Sequence, residues 1–220
     1  MTLLAIDTAL ENCSVGIEAG GALFLRTETI GKGHAERLMP EIAALLAEAG
    51  LSPAAITRIA VSIGPGSFTG LRVGIAAARG LALVHRIPVV GVTTLMTHAA
   101  LALQERPPGR ERPVLALLPA RGDDLYGQLF SPSLQPLDTA VLAPIAHFAA
   151  ILAETDADLA GAGALRLERP DRVIHDRSAP DIATLLALGA SLDPAGHPPK
   201  PLYIRPPDAK PQLHKGIARQ

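Results

Sequence analysis

A glycine-rich segment, Ser62–Gly74, constrains the fold of this chain more than any other part of its sequence. It places three glycines and a proline within Gly64–Gly70, between a β-branched run, Ile59–Ile63, and an alanine-rich helical run. Such a loop ends a buried strand sharply and begins a helix whose first backbone N–H groups are free. That geometry serves either to hold an anion or to turn a tight corner.

The motif around this glycine loop (Gly64–Gly70) differs from the common phosphate-binding and hydrolase motifs. It lacks the Gly-Lys-Ser/Thr of a P-loop, its glycines are one residue too far apart for a dinucleotide fingerprint, and Gly-x-Ser-x-Gly is absent. Ser67 and Thr69 can cap the following helix or contact an anion, and Asp7 can hold a metal–phosphate complex or stabilise a turn. The candidate anion or nucleotide contacts are Asp7, Gly66, Ser67 and Thr69.

Composition excludes several classes of protein. With a formal net charge of −1, the chain is not a strongly basic nucleic-acid binder, although a weaker or partner-assisted RNA contact stays open. Four Phe, two Tyr and no Trp make an extensive base-stacking platform unexpected. A single cysteine, the absence of a secretory signal and the absence of a long uncharged apolar window predict a cytoplasmic protein without a membrane span.

The order of the elements predicts an α/β chain with two related halves. In the first half we expect three strands, at Leu3–Ile6, Cys13–Glu18 and Ala22–Thr29, and then a helix ending at Gly50. A strand over Arg58–Ile63, a helix over Gly70–Arg86, a strand over Pro88–Val92 and a helix ending near Gln104 follow. Pro40 predicts a kink or a late start in the first helix.

The second half repeats this order more weakly. We expect a hairpin at Val114–Leu118 and Leu125–Phe130, helices near Ala143–Glu154 and Asp181–Leu192, and short strands near Leu159 and Val173. A charged, proline-rich break at Glu105–Arg112 predicts the domain boundary. The predicted domains are residues 1–104, a smaller domain at 105–195, and a proline-rich basic tail at 196–220 that is extended or loosely ordered.

The first two helices are apolar on more than one face. A narrow arginine strip, Arg72, Arg79 and Arg86, interrupts the apolar surface of the second helix. Because a helix that is apolar on both faces must be buried on both, either a partner helix or the chain's own second domain covers the extra face. The predicted interface residues are Leu38, Met39, Ile42, Ala43, Leu45, Val73, Ala76, Ala77, Gly80 and Val84.

Residues with the chemistry of catalysis do not form a recognisable set. Neither His34 nor His98 has a second histidine or carboxylate one helical turn away, so no metal site is predicted. Cys13 has no basic neighbour in the sequence that would favour a thiolate, so we interpret it as a small core residue. We therefore predict neither a catalytic residue nor a tightly bound cofactor in this chain.

At the level of motifs, the chain resembles the TsaB (YeaZ) family. The blocks that carry the resemblance are Leu4–Thr8, Gly33–Pro40, Gly64–Gly74 and Pro88–Leu95, with weaker support from Leu125-Tyr126 and Pro201–Arg205. The chain has Pro119-Ala120-Arg121 where family members commonly carry Asp-Ala-Arg.

The resemblance implies an actin/Hsp70/sugar-kinase-type fold of two related domains, the second reduced. It also implies a non-catalytic subunit that dimerises through the first two helices with a TsaD-like transferase. That complex, joined by a TsaE-like ATPase, adds threonylcarbamoyl to the adenosine beside the anticodon of tRNAs that read codons starting with A. The partners are expected to hold the ATP and the metal. The His-x-x-x-His metal motif of TsaD-like proteins would fall at Thr94 and His98 in this chain, so one of its two histidine ligands is missing.

Two other functions stay open from the sequence. One is a nucleotide-dependent phosphotransferase or metallopeptidase-like enzyme of the same fold, which would bind nucleotide or metal by itself. The other is a homodimeric regulator, which would use the same helix surface for a second copy of the chain.

Overall fold

Two five-stranded mixed sheets organise residues 1–204, which are the residues described by the structure, a computed structural model. The first sheet has the order β3-β2-β1-β4-β5 and the second has the matching order β8-β7-β6-β9-β10. In each sheet the first three strands of this order pair antiparallel with their neighbours. The last two strands run parallel to the central strand, which is β1 in the first sheet and β6 in the second. The strands are β1 (Thr2–Asp7), β2 (Asn12–Ala19), β3 (Ala22–Thr29), β4 (Arg58–Ser62), β5 (Val89–Val92), β6 (Val114–Pro119), β7 (Asp124–Phe130), β8 (Val141–Pro144), β9 (Asp158–Ala160) and β10 (Val173–His175).

Five helices cover the faces of these sheets, and two of them pack on the sheet of the other half. Helices α1 and α2 cover one face of the first sheet, and α5 covers its opposite face. Helix α3 packs on the second sheet, where α4 lies on strands β7 and β8. The helices are α1 (His34–Glu48), α2 (Phe68–His85), α3 (Thr94–Glu105), α4 (Ile145–Thr155) and α5 (Ile182–Ser191). None of the helices in residues 1–204 has the length and apolarity to cross a membrane.

The predicted α/β class with two related, unequal halves is confirmed. Between β4 and β5 the first half has the 18-residue helix α2, whereas between β9 and β10 the second half has only two short 3₁₀ turns, Ala164–Leu167 and Pro170–Arg172. Helices α3 and α5 contact each other between the two sheets. Their apolar residues join strands of both halves into one buried cluster.

Several details of the elements differ from the predictions. The expected helix near Ala143–Glu154 begins at Ile145, because residues Val141–Pro144 instead form edge strand β8 beside β7. Helix α1 begins at His34, well before Pro40, so of the two effects predicted for this proline the late start is wrong and the kink stays a prediction. Its end is as expected: Gly50 has a φ of +67°, and the N–H groups of Gly50 and Leu51 donate to the oxygens of Ala47 and Leu46.

The glycine loop positions α2 by backbone contact with the turn between β1 and β2. The N–H of Ser67 donates to the oxygen of Ala9 at 2.6 Å, and the hydroxyl of Thr8 donates to the oxygen of Gly70 at 2.8 Å. A Cβ on Gly66 would overlap the Ala9 oxygen, and one on Gly70 would overlap the Thr8 oxygen. The glycines are therefore required for close approach of two backbones.

A strap, defined as residues 196–204, lies along strand β5 at the edge of the first sheet. The N–H of Gly91 donates to the oxygen of His197 at 2.8 Å, and the N–H of Leu202 donates to the oxygen of Ile63 at 2.7 Å. These bonds partly cover an otherwise unpaired sheet edge. The rest of the predicted tail, residues 205–220, lies outside the described residues.

Two histidines meet in the layer between the sheets. His98 of α3 is fully buried and stacks on His175 of β10, with ring centroids 5.4 Å apart. His175 Nε2 donates to the backbone oxygen of His98 at 3.1 Å, while neither ring nitrogen of His98 has a hydrogen-bond partner among the described residues. Burial lowers the pKa of His98 to about 3, with a smaller contribution from His175.

The close approach of the glycine loop generates a stability prediction. Gly66→Ala should lower the free energy of unfolding by about 2 kcal/mol, because the new Cβ meets rigid backbone that cannot move aside. The control is Gly80→Ala in α2, where an added Cβ meets no atom within 4 Å and helix propensity should raise stability by about 0.5–1 kcal/mol. Urea unfolding measures both, and equal effects would contradict the packing argument.

The buried histidine generates a pH prediction. Because the folded state holds His98 neutral, the unfolded chain binds its proton more readily, and stability is lost as pH falls below about 6.5. This one group should lower the free energy of unfolding by about 2 kcal/mol between pH 7 and pH 5. Urea unfolding of the wild type and His98→Leu at both pH values measures the difference. An identical pH dependence in the two proteins would rule out the proposed proton linkage.

Candidate functional site

Helices α1 and α2 present an apolar surface that points away from the first sheet. Val84 is 74% exposed and Met39 is 46% exposed, and it is their place in a larger apolar patch that is informative. We call this surface the outer face, and its residues are Met39, Ala43, Val73, Ala76, Ala77, Gly80 and Val84. Val73 and Ala77 are half-buried, and the others are exposed.

Three residues predicted for the partner interface lie elsewhere. Leu38, Ile42 and Leu45 are buried in the chain's own core, because they form the face of α1 that packs on the first sheet. The same periodicity that marks an apolar face does not say which side a partner covers, so that part of the prediction is corrected. In α2, Leu71 and Ile75 are the corresponding core residues.

Ion pairs hold α1 against β3 and thereby orient its part of the outer face. Arg37 contacts Glu28 at 2.6 Å and Glu41 at 3.0 Å. Arg26 contacts Glu41 at 3.3 Å and Glu48 at 2.9 Å. Exposed pairs contribute little individually, but three contacts between one helix and one strand, linked by the Arg37–Glu41 pair within α1, restrict how α1 can rotate.

The turn after β1 uses its polar groups internally. Asp7 is buried and its Oδ1 accepts the N–H of Ala9 at 2.9 Å. Burial raises the pKa of the Asp7 carboxyl, and this effect is opposed by the hydrogen bond from Ala9. Ser67 caps α2, since its hydroxyl accepts the N–H of Gly70 at 3.3 Å. The predicted turn and cap roles are present, and an anion contact by Asp7, Gly66, Ser67 or Thr69 stays a prediction.

A cleft of about 460 Å³ separates the two halves beside the glycine loop. Leu10 and Ser67 line it from the first half, and Leu118 and Tyr126 line it from the second. Across its mouth the hydroxyl of Ser178 donates to Glu11 Oε1 at 2.5 Å. Ser67 was predicted from the sequence as a site residue, whereas the second-half residues of the cleft were not, because no local pattern shows that they face the loop.

Residues with metal or thiol chemistry are dispersed in the described part of the chain. Residues 1–204 contain no group of three or more His, Cys, Asp or Glu side chains arranged to hold a metal. Thr94 and His98 lie on α3 at the positions compared with the TsaD-like metal motif, and both are fully buried. Cys13 is buried in the core, and burial raises the pKa of its thiol to about 11.

An aromatic contact that no local sequence pattern predicts lies at the start of α2. The ring of Tyr203, from the strap, packs 5.2 Å from the ring of Phe68. Arg72 Nε donates to the Tyr203 hydroxyl at 3.2 Å, and its guanidinium lies 3.8 Å above the Phe68 ring. The signal in the sequence was the block around Tyr203, but its position on α2 depends on the path of the strap.

Comparisons with known proteins agree with this architecture. A family model described as TsaD, tRNA N6-adenosine threonylcarbamoyltransferase, matches residues 27–179. The tRNA threonylcarbamoyladenosine biosynthesis protein TsaB of Escherichia coli (strain K12) is 42% identical over 126 residues, which is 57% of this chain and 53% of that protein. The chain spans about half the length of the curated TsaB relatives from Escherichia coli and Haemophilus influenzae.

Other relatives cover nearly the whole chain. An uncharacterized protein of Mycobacterium tuberculosis (strain CDC 1551 / Oshkosh) is 32% identical over 215 residues, covering 96% of this chain and 94% of that protein. The solved structure of YeaZ from Pseudomonas aeruginosa superposes with a TM-score of 0.75 at 31% identity, covering 92% of this chain and 100% of that chain. With sequence motifs, fold and relatives in agreement, this chain belongs to the TsaB (YeaZ) family.

Proposed function

We propose that this protein is a subunit of the system that adds threonylcarbamoyl to the adenosine beside the anticodon of tRNA, and that it activates a TsaD-like transferase by dimerising with it. The observation that carries this proposal is the outer face of α1 and α2. An apolar surface on two adjacent helices, left uncovered by the rest of residues 1–204, is typical of a protein–protein interface. The names of the TsaB relatives support the pathway.

The chemistry of the outer face fits a partner helix. Ala43, Ala76, Ala77 and Gly80 have small side chains, which let a second helix approach closely, and Val84 and Met39 supply larger apolar contacts. The flanking ion pairs of α1 provide a polar rim. A TsaE-like ATPase and tRNA would join through the resulting complex in the cytoplasm, and a homodimer through the same face would form when the transferase is absent.

We also propose that this subunit performs no transfer by itself and that its partners hold the ATP and the metal. The support is local: the Asp7 carboxyl is buried, accepts a backbone hydrogen bond and has a raised pKa, which weakens it as a ligand for a metal–nucleotide complex. Two backbone N–H groups of the glycine loop are also already used, since that of Ser67 donates to the Ala9 oxygen and that of Gly70 donates to the Ser67 hydroxyl.

The interface is tested by placing a charge on the outer face. Val84→Glu should weaken binding to the TsaD-like transferase by about 100-fold or more, because the new carboxylate would be buried without a partner. Its stability should change by less than about 0.5 kcal/mol, since Val84 is exposed in the isolated chain. Co-purification and mass measurement provide the readout.

The matched control for this experiment is Leu165→Glu. Leu165 is a 53% exposed apolar residue of the second half, far from α2 in the sequence and outside the outer face. It should leave the complex intact. A stable complex with Val84→Glu, or loss of the complex with both variants, would refute the assignment of this interface.

The cofactor proposal has a separate test. Calorimetry of the isolated chain with ATP and Mg²⁺ should show no binding with a dissociation constant below about 1 mM, equivalent to about 4 kcal/mol. Metal analysis of the purified protein should show no stoichiometric metal. Tight binding of either ligand would favour the alternative, an enzyme with its own nucleotide or metal site.

A further inference from the structure

The surface around α2 has an unusual distribution of charge. No Asp or Glu occurs in the sequence between Glu48 and Glu105, a span that includes all of α2, and none occurs in the strap. All three arginines of the arginine strip are exposed. Lys200 of the strap is also exposed and adds a further positive charge on this side of the molecule.

The charges of the arginine strip are not neutralised locally. No carboxylate of residues 1–204 forms an ion pair with them, in contrast to the arginines that tie α1 to β3. Arg79 instead donates to the backbone oxygen of Pro199 at 2.5 Å, and Arg72 donates to the Tyr203 hydroxyl. Both acceptors are neutral, so the flank of α2 keeps its full positive charge.

The arginines form a row along the helix. Arg72 and Arg79 are seven residues apart, which places their side chains on the same flank of α2 about 10 Å apart. Arg86 follows directly after α2 as its C-terminal cap, with a φ of +54°, and adds a third positive charge at the end of the helix. The row lies beside the outer face, on the flank that the strap approaches. A line of unpaired arginines fits the phosphates of a nucleic-acid strand, since phosphate contacts require positive charge rather than a particular side-chain shape.

The row ends at the exposed aromatic pair. Phe68 is 41% exposed and Tyr203 is 43% exposed, and Arg72 holds them together by its contact with both. Exposed aromatic rings beside an arginine provide a surface on which an unpaired base can stack. A protein partner of ordinary composition would leave several of these arginines without acids, so the charge favours RNA.

We infer that the arginine strip, together with Phe68 and Tyr203, is a direct contact surface for tRNA, with the arginines against backbone phosphates and the aromatic pair against an unstacked base. The identity of the RNA rests on the proposed function. The contact itself is additional to that function, which needs only dimerisation with the transferase. The modest overall charge of the chain implies weak binding alone and stronger binding once the complex is assembled.

The experiment measures the affinity of an unmodified tRNA transcript for the full chain and for its complex with the TsaD-like transferase over a range of salt concentrations. The double variant Arg79→Gln/Arg86→Gln should bind about tenfold more weakly at low salt, with a slope of log affinity against log salt that is smaller by about 1.5. The difference should vanish at high salt, which a folding defect would not do. The affinity of Tyr203→Ala for the tRNA should also fall about tenfold, and that of Tyr203→Phe should stay within about threefold of the wild-type affinity.

The matched control is Arg169→Gln/Arg177→Gln, which removes the same charge from exposed arginines of the second half that are paired with acids. It should retain the wild-type salt slope. The inference is overturned if the strip variant binds tRNA with the wild-type affinity both alone and in the complex, or if the control variant loses as much tRNA affinity as the strip variant. It is also overturned if the strip variant loses binding to the transferase but keeps the wild-type affinity for tRNA. Failure of the proposed function is a different result, namely a complex that survives Val84→Glu.

Discussion

The contact between the glycine loop and the β1–β2 turn is the constraint on which the functional surfaces depend. Gly66 and Gly70 bring the loop against the carbonyl oxygens of Ala9 and Thr8, so α2 leaves the sheet in one direction only. That direction decides which side of α2 faces solvent. It also brings the loop to the edge of the cleft between the halves. The α2 part of the outer face, the arginine strip on α2 and the position of the cleft beside the loop all depend on this contact between two backbones.

A second constraint is the exchange of helices between the halves. Helix α5 closes the first sheet and α3 closes the second, so neither sheet is covered on both faces by its own half alone. Leu3 and Leu185 therefore belong to the same cluster as Val114 and Ala160. Once these helices are used inside, α1 and α2 remain on the outside of the first sheet, where Val84 and Met39 face solvent. The same packing leaves the outer face on the first half of the chain.

Much of the fold could be predicted from local pattern. Strand β3 occupies the expected residues, and the end of α1 at Gly50 follows from the need for a positive φ. Strand β8 was missed because a short edge strand has few buried residues and ends in a proline. For the candidate site, the sequence predicted that α1 and α2 carry excess apolar surface. It assigned Leu38, Ile42 and Leu45 to the wrong side, since periodicity defines faces without saying what covers them.

By itself, the sequence determined the α/β class, the two related halves, the family motifs and the row of arginines, because these depend on residues close together in the chain. Only the tertiary structure decided that Val84 faces solvent while Ile75 faces the sheet. It alone placed Tyr203 on Phe68, which lies far away in sequence. The physical reason is that exposure and long-range contact depend on how whole elements pack, and the backbone contact at Gly66 that sets this packing is not visible in any local pattern.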